Sequence, residues 1–351
     1  MGGPLLKVNN PNFIIKITNI QGEIRMSLRP LIIDTDPGGD DAQAIMLLAT
    51  SGMFNIRAIC AVHGNVGLEY TRRNALYLRD TAGLTCPVCQ GASEALLARQ
   101  PRAAYAHGNN GFSGLEFEVD ENKLSRKHPW DVIYDEALHW GGELEIFAVG
   151  PLTNIAIALL RHPDLPNYIK QVTIMGGAAT KGNSGAYGEF NIVQDPHALK
   201  VCLSAGFKKF VMVDLDSCRT AFLTDEEAEY LDNLPLSNPW KPLYDKFAMA
   251  QRERRLLMSD EQRRKMGFPK GRGGCDAAAA FVLSHPESCV LEDYFCLCET
   301  RSTLNFGQTI FDWRGRFREK PNVTLTRSID RDAYAAWYLE MLHSYDGGIE
   351  S

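Results

Sequence analysis

Leu31-Ile32-Ile33-Asp34-Thr35-Asp36-Pro37-Gly38-Gly39-Asp40-Asp41-Ala42 decides the fold. A short apolar run of the kind found in a buried strand ends abruptly among four aspartates. Pro37 and two glycines let the backbone turn tightly. From Ala42 to Ala49 the apolar spacing predicts a helix. The pattern is strand, acidic turn, helix, and the first such junction of an open α/β sheet is where ligands bind. Phosphate-binding versions of this turn use glycines and a bare helix N-terminus. Carboxylates there would repel phosphate and instead suit a hard cation or sugar hydroxyls. Helix capping accounts for Asp40 and Asp41. It leaves Asp34 and Asp36, alternate residues at the strand end, without a reason. A calcium loop of the EF-hand kind is excluded, because its twelfth position, counted from Asp34, is Ile45.

Working outward, apolar and helical stretches alternate. Strands are predicted at Asn55–Val62, Leu144–Val149, Gln171–Met175 and Phe210–Leu215. Helices are predicted at Glu69–Asp80, Asn154–Leu160 and His197–Ala205. This alternation predicts an α/β fold, a Rossmann-like, mainly parallel central sheet flanked by helices. The turns after the strands carry polar residues: His63-Gly64-Asn65, Gly150-Pro151-Leu152-Thr153-Asn154, and Met175-Gly176-Gly177 running on to Asn183 and Glu189-Phe190-Asn191. In a parallel sheet all of them share the edge that carries the aspartates.

Residues 1–30 precede the first strand and read as an N-terminal extension without the ordered regions of a signal peptide. One domain is expected over 31–345, with a lid-like helical excursion at about 236–274. There Pro235, Pro239 and Pro242 precede a helix at Leu243–Leu257, and a basic segment with glycines follows. Cys275-Asp276 comes directly after it and opens a helix of small residues. The last helix, Arg331–Leu342, reads as packing.

The chain has 351 residues, 45% hydrophobic and 23% charged, with a formal net charge of −6. That balance suits a globular protein and argues against a general nucleic-acid binder. No apolar run approaches the roughly 20 residues of a membrane span. Nine scattered cysteines suggest reduced thiols and a cytoplasmic location. Cys86-x-x-Cys89 has no partner pair and reads as structural.

These motifs, in this order from 31 to about 325, resemble the calcium-dependent nucleoside N-ribohydrolases, the inosine-uridine-preferring nucleoside hydrolase family, and within it the cysteine-bearing subgroup. The resemblance implies the nucleoside hydrolase fold, homodimers or homotetramers, and hydrolysis of a ribonucleoside to ribose and free base. It implies Ca²⁺ held by Asp36, Asp41, Asp276 and the carbonyl of Val149, with Asp36 also the general base. Asp40 and Asn191 resemble ligands of the ribose 2′- and 3′-hydroxyls, with Asn65 at the same end. Asn183 and Glu189 resemble 5′-hydroxyl contacts, and Met175 lies in the matching substrate-binding segment. Three positions depart from the family pattern. Cys275 stands where a histidine often protonates the leaving base, Arg219 where another histidine is common, and His197 where an acid is usual. Cys275 and His107, in His107-Gly108-Asn109-Asn110-Gly111, are the candidates for leaving-group activation. Two other activities fit parts of the pattern. One is a metal-dependent phosphohydrolase with Asp34 as nucleophile. The other is a non-catalytic nucleoside- or ribose-binding protein. A variant of the glycosidase reading takes nucleoside 5′-phosphates through the basic excursion, and Glu189 at the 5′ end argues against it.

Overall fold

The computed structural model describes residues 28–97, 108–233, 240–256, 259, 261–262 and 271–344. Its first strand, β1 (Arg29–Thr35), is buried from Pro30 onward. Leu31 and Ile33 enter one apolar core, Ile32 the other. The period of two thus explains why a continuous apolar run is needed: both faces of β1 are covered. Helix α1 (Gly39–Thr50) starts three residues before the expected Ala42, with Gly38 as its N-cap and Asp40 and Asp41 in the first turn.

The remaining strands are β2 (Phe54–Ala61), β3 (Val88–Gln90), β4 (Leu124–Ser125), β5 (Leu144–Ala148), β6 (Ile169–Met175), β7 (Phe210–Val213), β8 (Cys289–Tyr294), β9 (Cys296–Cys298), β10 (Thr309–Phe311) and β11 (Val323–Ile329). Eight of them join β1 in a nine-stranded sheet of order β4-β3-β2-β1-β5-β6-β7-β11-β8, and β9 and β10 pair separately. Pairing is parallel throughout the large sheet except between β8 and β11. The chain therefore runs outward from β1 to β4, then returns to the other side of β1 as β5. The gap between the ends of β1 and β5 is the topological switch point, where such sheets bind ligands.

The other helices are α2 (Leu68–Thr81), α3 (Pro129–Trp140), α4 (Thr153–Arg161), α5 (Phe190–Gln194), α6 (Pro196–Ser204), α7 (Leu215–Cys218), α8 (Asp225–Asp232), α9 (Lys241–Leu256), α10 (Cys275–Ser284) and α11 (Arg331–Ser344). Ala277 to Ala280 of α10 are fully buried and α10 packs against α1. Small side chains on both helices permit that close approach.

Most expected elements differ from the observed ones by a residue or two. The strand expected at Phe210–Leu215 ends at Val213, because Asp214 caps α7 by accepting the Ser217 N–H at 2.9 Å. Helix α3 and the antiparallel β8–β11 pair were not anticipated. Residues 1–27, His107 and the basic part of the excursion, 263–270, lie outside the described residues. Among the described residues no helix is long and apolar enough to cross a membrane. All nine cysteines are free thiols, and Cys86 and Cys89 are buried.

Candidate active site

The turn after β1 holds its aspartates in different ways. Asp36 is fully buried. Its Oδ2 accepts the Asn65 backbone N–H at 2.6 Å, and its carbonyl accepts Asn65 Nδ2 at 3.1 Å. Two glycines make room for that carboxylate: a Cβ at Gly64 would lie 1.9 Å from Oδ2, and one at Gly150 would lie 2.7 Å from Oδ1. Oδ1 itself has no hydrogen-bond partner. Asp41, also fully buried, accepts from Thr35 Oγ1 at 2.6 Å, from the Gly38 N–H at 2.9 Å and from Asn65 Nδ2 at 3.3 Å. Asp41 is therefore partly a helix cap and partly a buried acid, and Asn65 spans it and Asp36.

Asp276, in the first turn of α10, comes to the same place from the far end of the chain. One carboxylate oxygen each from Asp40, Asp41 and Asp276 lie within 4.8 Å of one another. Among the described residues this is the group of acids, histidines or cysteines arranged closely enough to share an ion. Asp36 stands beside it, close enough for repulsion with Asp41 to matter. Burial, then repulsion from Asp41, lifts the Asp36 carboxyl well above its ordinary range. Burial, then Asp40 and Asp41, does the same to Asp276. Burial and Asp40 push Asp41 to about 7, against the opposing hydrogen bonds from Thr35 and Gly38. Clustered acids that resist ionising alone, with one buried oxygen unpartnered, fit a divalent cation, which replaces lost hydration and cancels the repulsion.

Asp34 differs. It is fully buried, its Oδ2 accepts from Asn154 Nδ2 at 2.8 Å, and burial raises it to about 7. Asn154 also accepts the Ala92 N–H at 2.9 Å, so it links the ends of β1 and β3 and does not cap α4. An acid so enclosed is not presented as a nucleophile, which removes the geometric basis of the phosphohydrolase reading.

The other expected residues gather along the same edge. Asn191 Nδ2 donates to the carbonyls of Val149 and Met175, both at 3.1 Å, and lies 3.4 Å from Met175 Sδ. Glu189 caps α5: Oε1 accepts the Asn191 N–H at 3.0 Å, and Oε2 accepts those of Ile192 and Gly177, each at 3.2 Å. Burial raises Glu189 to about 7. Asn183 is exposed, and its Oδ1 accepts the Phe190 N–H at 2.8 Å. Cys275 is half-buried, and its carbonyl takes the Cys218 thiol at 3.7 Å. Arg219 pairs with Asp216, which holds Thr180 in the loop after β6. The sequence motif carries no signal of a role for Thr35, yet its place between Asp34 and Asp36 aims it to the opposite side, where it reaches Asp41.

Fold and site together define an α/β protein with an acidic site at the switch point of a mainly parallel sheet. Within that class, the chain belongs to the family described as inosine-uridine preferring nucleoside hydrolase, whose pattern matches residues 31–336. These are nucleoside N-ribohydrolases, a kind of glycosidase. The chain is 33% identical over 314 residues to the non-specific ribonucleoside hydrolase RihC of Klebsiella pneumoniae, covering 89% of this chain and 98% of that one. Its fold matches the purine-preferring ribonucleoside hydrolase from Gardnerella vaginalis with a TM-score of 0.80 and 25% identity, over 91% of this chain and 100% of the other. It matches an inosine-guanosine nucleoside hydrolase with a TM-score of 0.79 and 26% identity, over 92% and 99%.

Proposed function

We propose that the chain hydrolyses the N-glycosidic bond of ribonucleosides to ribose and free base, with Ca²⁺ as its cation and nucleoside salvage as its role. The observation that carries this reading is the meeting of Asp276 with Asp40 and Asp41 beside the buried Asp36. Asp36, Asp41, Asp276 and the Val149 carbonyl would hold the cation. When bound, it acidifies water and clamps vicinal hydroxyls. Cleavage at C1′ develops positive charge on the ribose ring, as in glycoside hydrolysis generally. Carboxylates gathered around the ring stabilise that charge. Asp36 takes the proton of the attacking water at Oδ1, while the Asn65 N–H holds Oδ2 and fixes the carboxylate plane. Asp40, half-buried beside this group, takes the ribose hydroxyls together with Asn191. Protonation of the departing base falls to Cys275 or His107. The same reading expects a cytoplasmic homodimer or homotetramer.

The test is reducing-sugar release from a panel of purine and pyrimidine nucleosides, with and without chelator, for wild type and Asp36→Asn. Turnover should vanish with chelator and fall at least about 1,000-fold in the variant, within the range lost with a catalytic base. Turnover retained in Asp36→Asn rules out Asp36 as the base. Binding of nucleoside with no ribose released would favour the non-catalytic reading.

A further inference from the structure

Between the end of α8 and the start of α10 the chain makes its excursion, and its two ends meet at one ion pair. Arg272 donates from both terminal nitrogens to Asp232, Nη1 to Oδ1 at 2.6 Å and Nη2 to Oδ2 at 2.7 Å. The pair is the fork-to-fork arrangement that sets geometry as well as energy. Its side chains are only 14% and 19% exposed. Tyr244 of α9 joins it, donating its hydroxyl to Asp232 Oδ1 and accepting from Arg272 Nη1, both at 3.4 Å.

The backbone is pinned at the same place. Arg272 and Leu223 exchange N–H···O bonds of 2.8 and 2.7 Å. Gly271 is pressed so close to the Leu223 carbonyl that a Cβ would lie 1.7 Å from its oxygen. Three residues on, Gly274 caps α10 and packs beside Gln43 and Asp40 of α1. The Gln43 side chain is itself held by the Tyr338 hydroxyl at 3.1 Å. Cys275 and Asp276 follow at once.

We propose that Asp232 and Arg272 are positioning residues. They clamp the two ends of the excursion, with Tyr244 of α9, so that Asp276 stays in register with Asp40 and Asp41. Neither residue touches the reacting atoms. They act on cation binding through the backbone of 272–274, and the inference rests on the proposed use of a divalent cation at the acidic site. Losing one partner leaves the other charge buried and uncompensated, so single variants destabilise for that reason too. Reading the Ca²⁺ requirement beside the thermal midpoint separates the two effects.

The experiment titrates Ca²⁺ into the chelator-treated full chain, reading the thermal midpoint and nucleoside hydrolysis. Wild type is compared with Asp232→Asn, Arg272→Lys and the double variant Asp232→Arg/Arg272→Asp. The half-saturating Ca²⁺ should rise about tenfold in Asp232→Asn, the scale seen when groups that orient metal ligands are lost. It should rise less in Arg272→Lys and return toward wild type in the exchanged pair. The kcat at saturating Ca²⁺ should be retained. A purely structural pair would lower the thermal midpoint without moving the Ca²⁺ requirement, and that result overturns the clamp. Should Asp232→Asn fail to fold, Arg272→Lys and the exchanged pair decide the matter. A wild type indifferent to Ca²⁺ would instead bring down the cation reading and the clamp with it. A responsive wild type with unshifted variants defeats the clamp alone.

Discussion

Glu189 accepts three backbone N–H groups, those of Asn191 and Ile192 in its own turn and that of Gly177 after β6, yet burial still raises its pKa from 4.5 to about 7. An unfolded chain gives up this proton near its ordinary value, whereas the folded chain keeps it until about 7. Between those values the native state binds the extra proton, so its stability falls as pH rises through that window. Asp34, raised to about 7, and Asp214, raised to about 6, act in the same direction. Glu189→Gln keeps an accepting oxygen and removes the titration. Urea unfolding at pH 5 and pH 8 should therefore show a smaller loss of stability in the variant, by about 2–3 kcal/mol at most. Equal losses would mean that Glu189 is ionised in the native protein throughout. Gly64 makes a second residue-scale case. Any side chain there collides with Asp36 Oδ2, at 1.9 Å for a Cβ. Gly64→Ala should cut kcat/KM about 100-fold, as displacing a reactive group by an ångström does. Steady-state kinetics with near-wild-type values would deny Asp36 its part.

Among the elements, β1 and α1 were readable from the chain because both of their patterns are strong and local. The apolar run, the Pro-Gly-Gly turn and the acids each point to one geometry. The start of α1 was missed because glycine is a poor helix former, and tertiary packing overrides that preference at Gly39, pressed against the Phe247 ring. Strands β3 and β4 are too short to carry a period, and β8 joins the sheet only by pairing with β11. The acidic site was readable in part. Asp36 and Asp41 stand in one motif, but only tertiary packing of α10 on α1 brings Asp276 to them, and it brings Asp40 into the tight group as well. The links between elements were not readable at all. Asn154, expected only as the start of a helix, ties Asp34 at the end of β1 to the Ala92 N–H beyond β3. Asn154→Ala leaves both groups unpaired in the interior and should cost about 2–4 kcal/mol, from two orphaned polar groups. Chemical denaturation measures it, and a loss below about 1 kcal/mol would show that water replaces the amide.

For the whole molecule, the acidic site is a liability until something neutralises it. A chain of net charge −6 folds so that Asp36, Asp41 and Asp276 are all removed from water within one cluster. Without a cation these carboxyls keep protons that the unfolded chain would release, and raising the pH then weakens the fold. On the proposed reading, a divalent cation competes with those protons for the same oxygens, so its stabilisation grows with pH. Free cation at 100 times its dissociation constant adds about 2.7 kcal/mol to the native state. In a chain of this size that raises the thermal midpoint by roughly 4 °C. Scanning calorimetry of chelator-treated protein should show this rise with Ca²⁺ at pH 8, a smaller one at pH 5, and none with equal ionic strength of a monovalent salt. Asp276→Asn should lose most of the rise while folding at least as well as wild type without the ion, because one buried charge has gone. A wild-type midpoint equal in chelator and in Ca²⁺ at pH 8 would show that these three buried acids manage their repulsion by protonation alone.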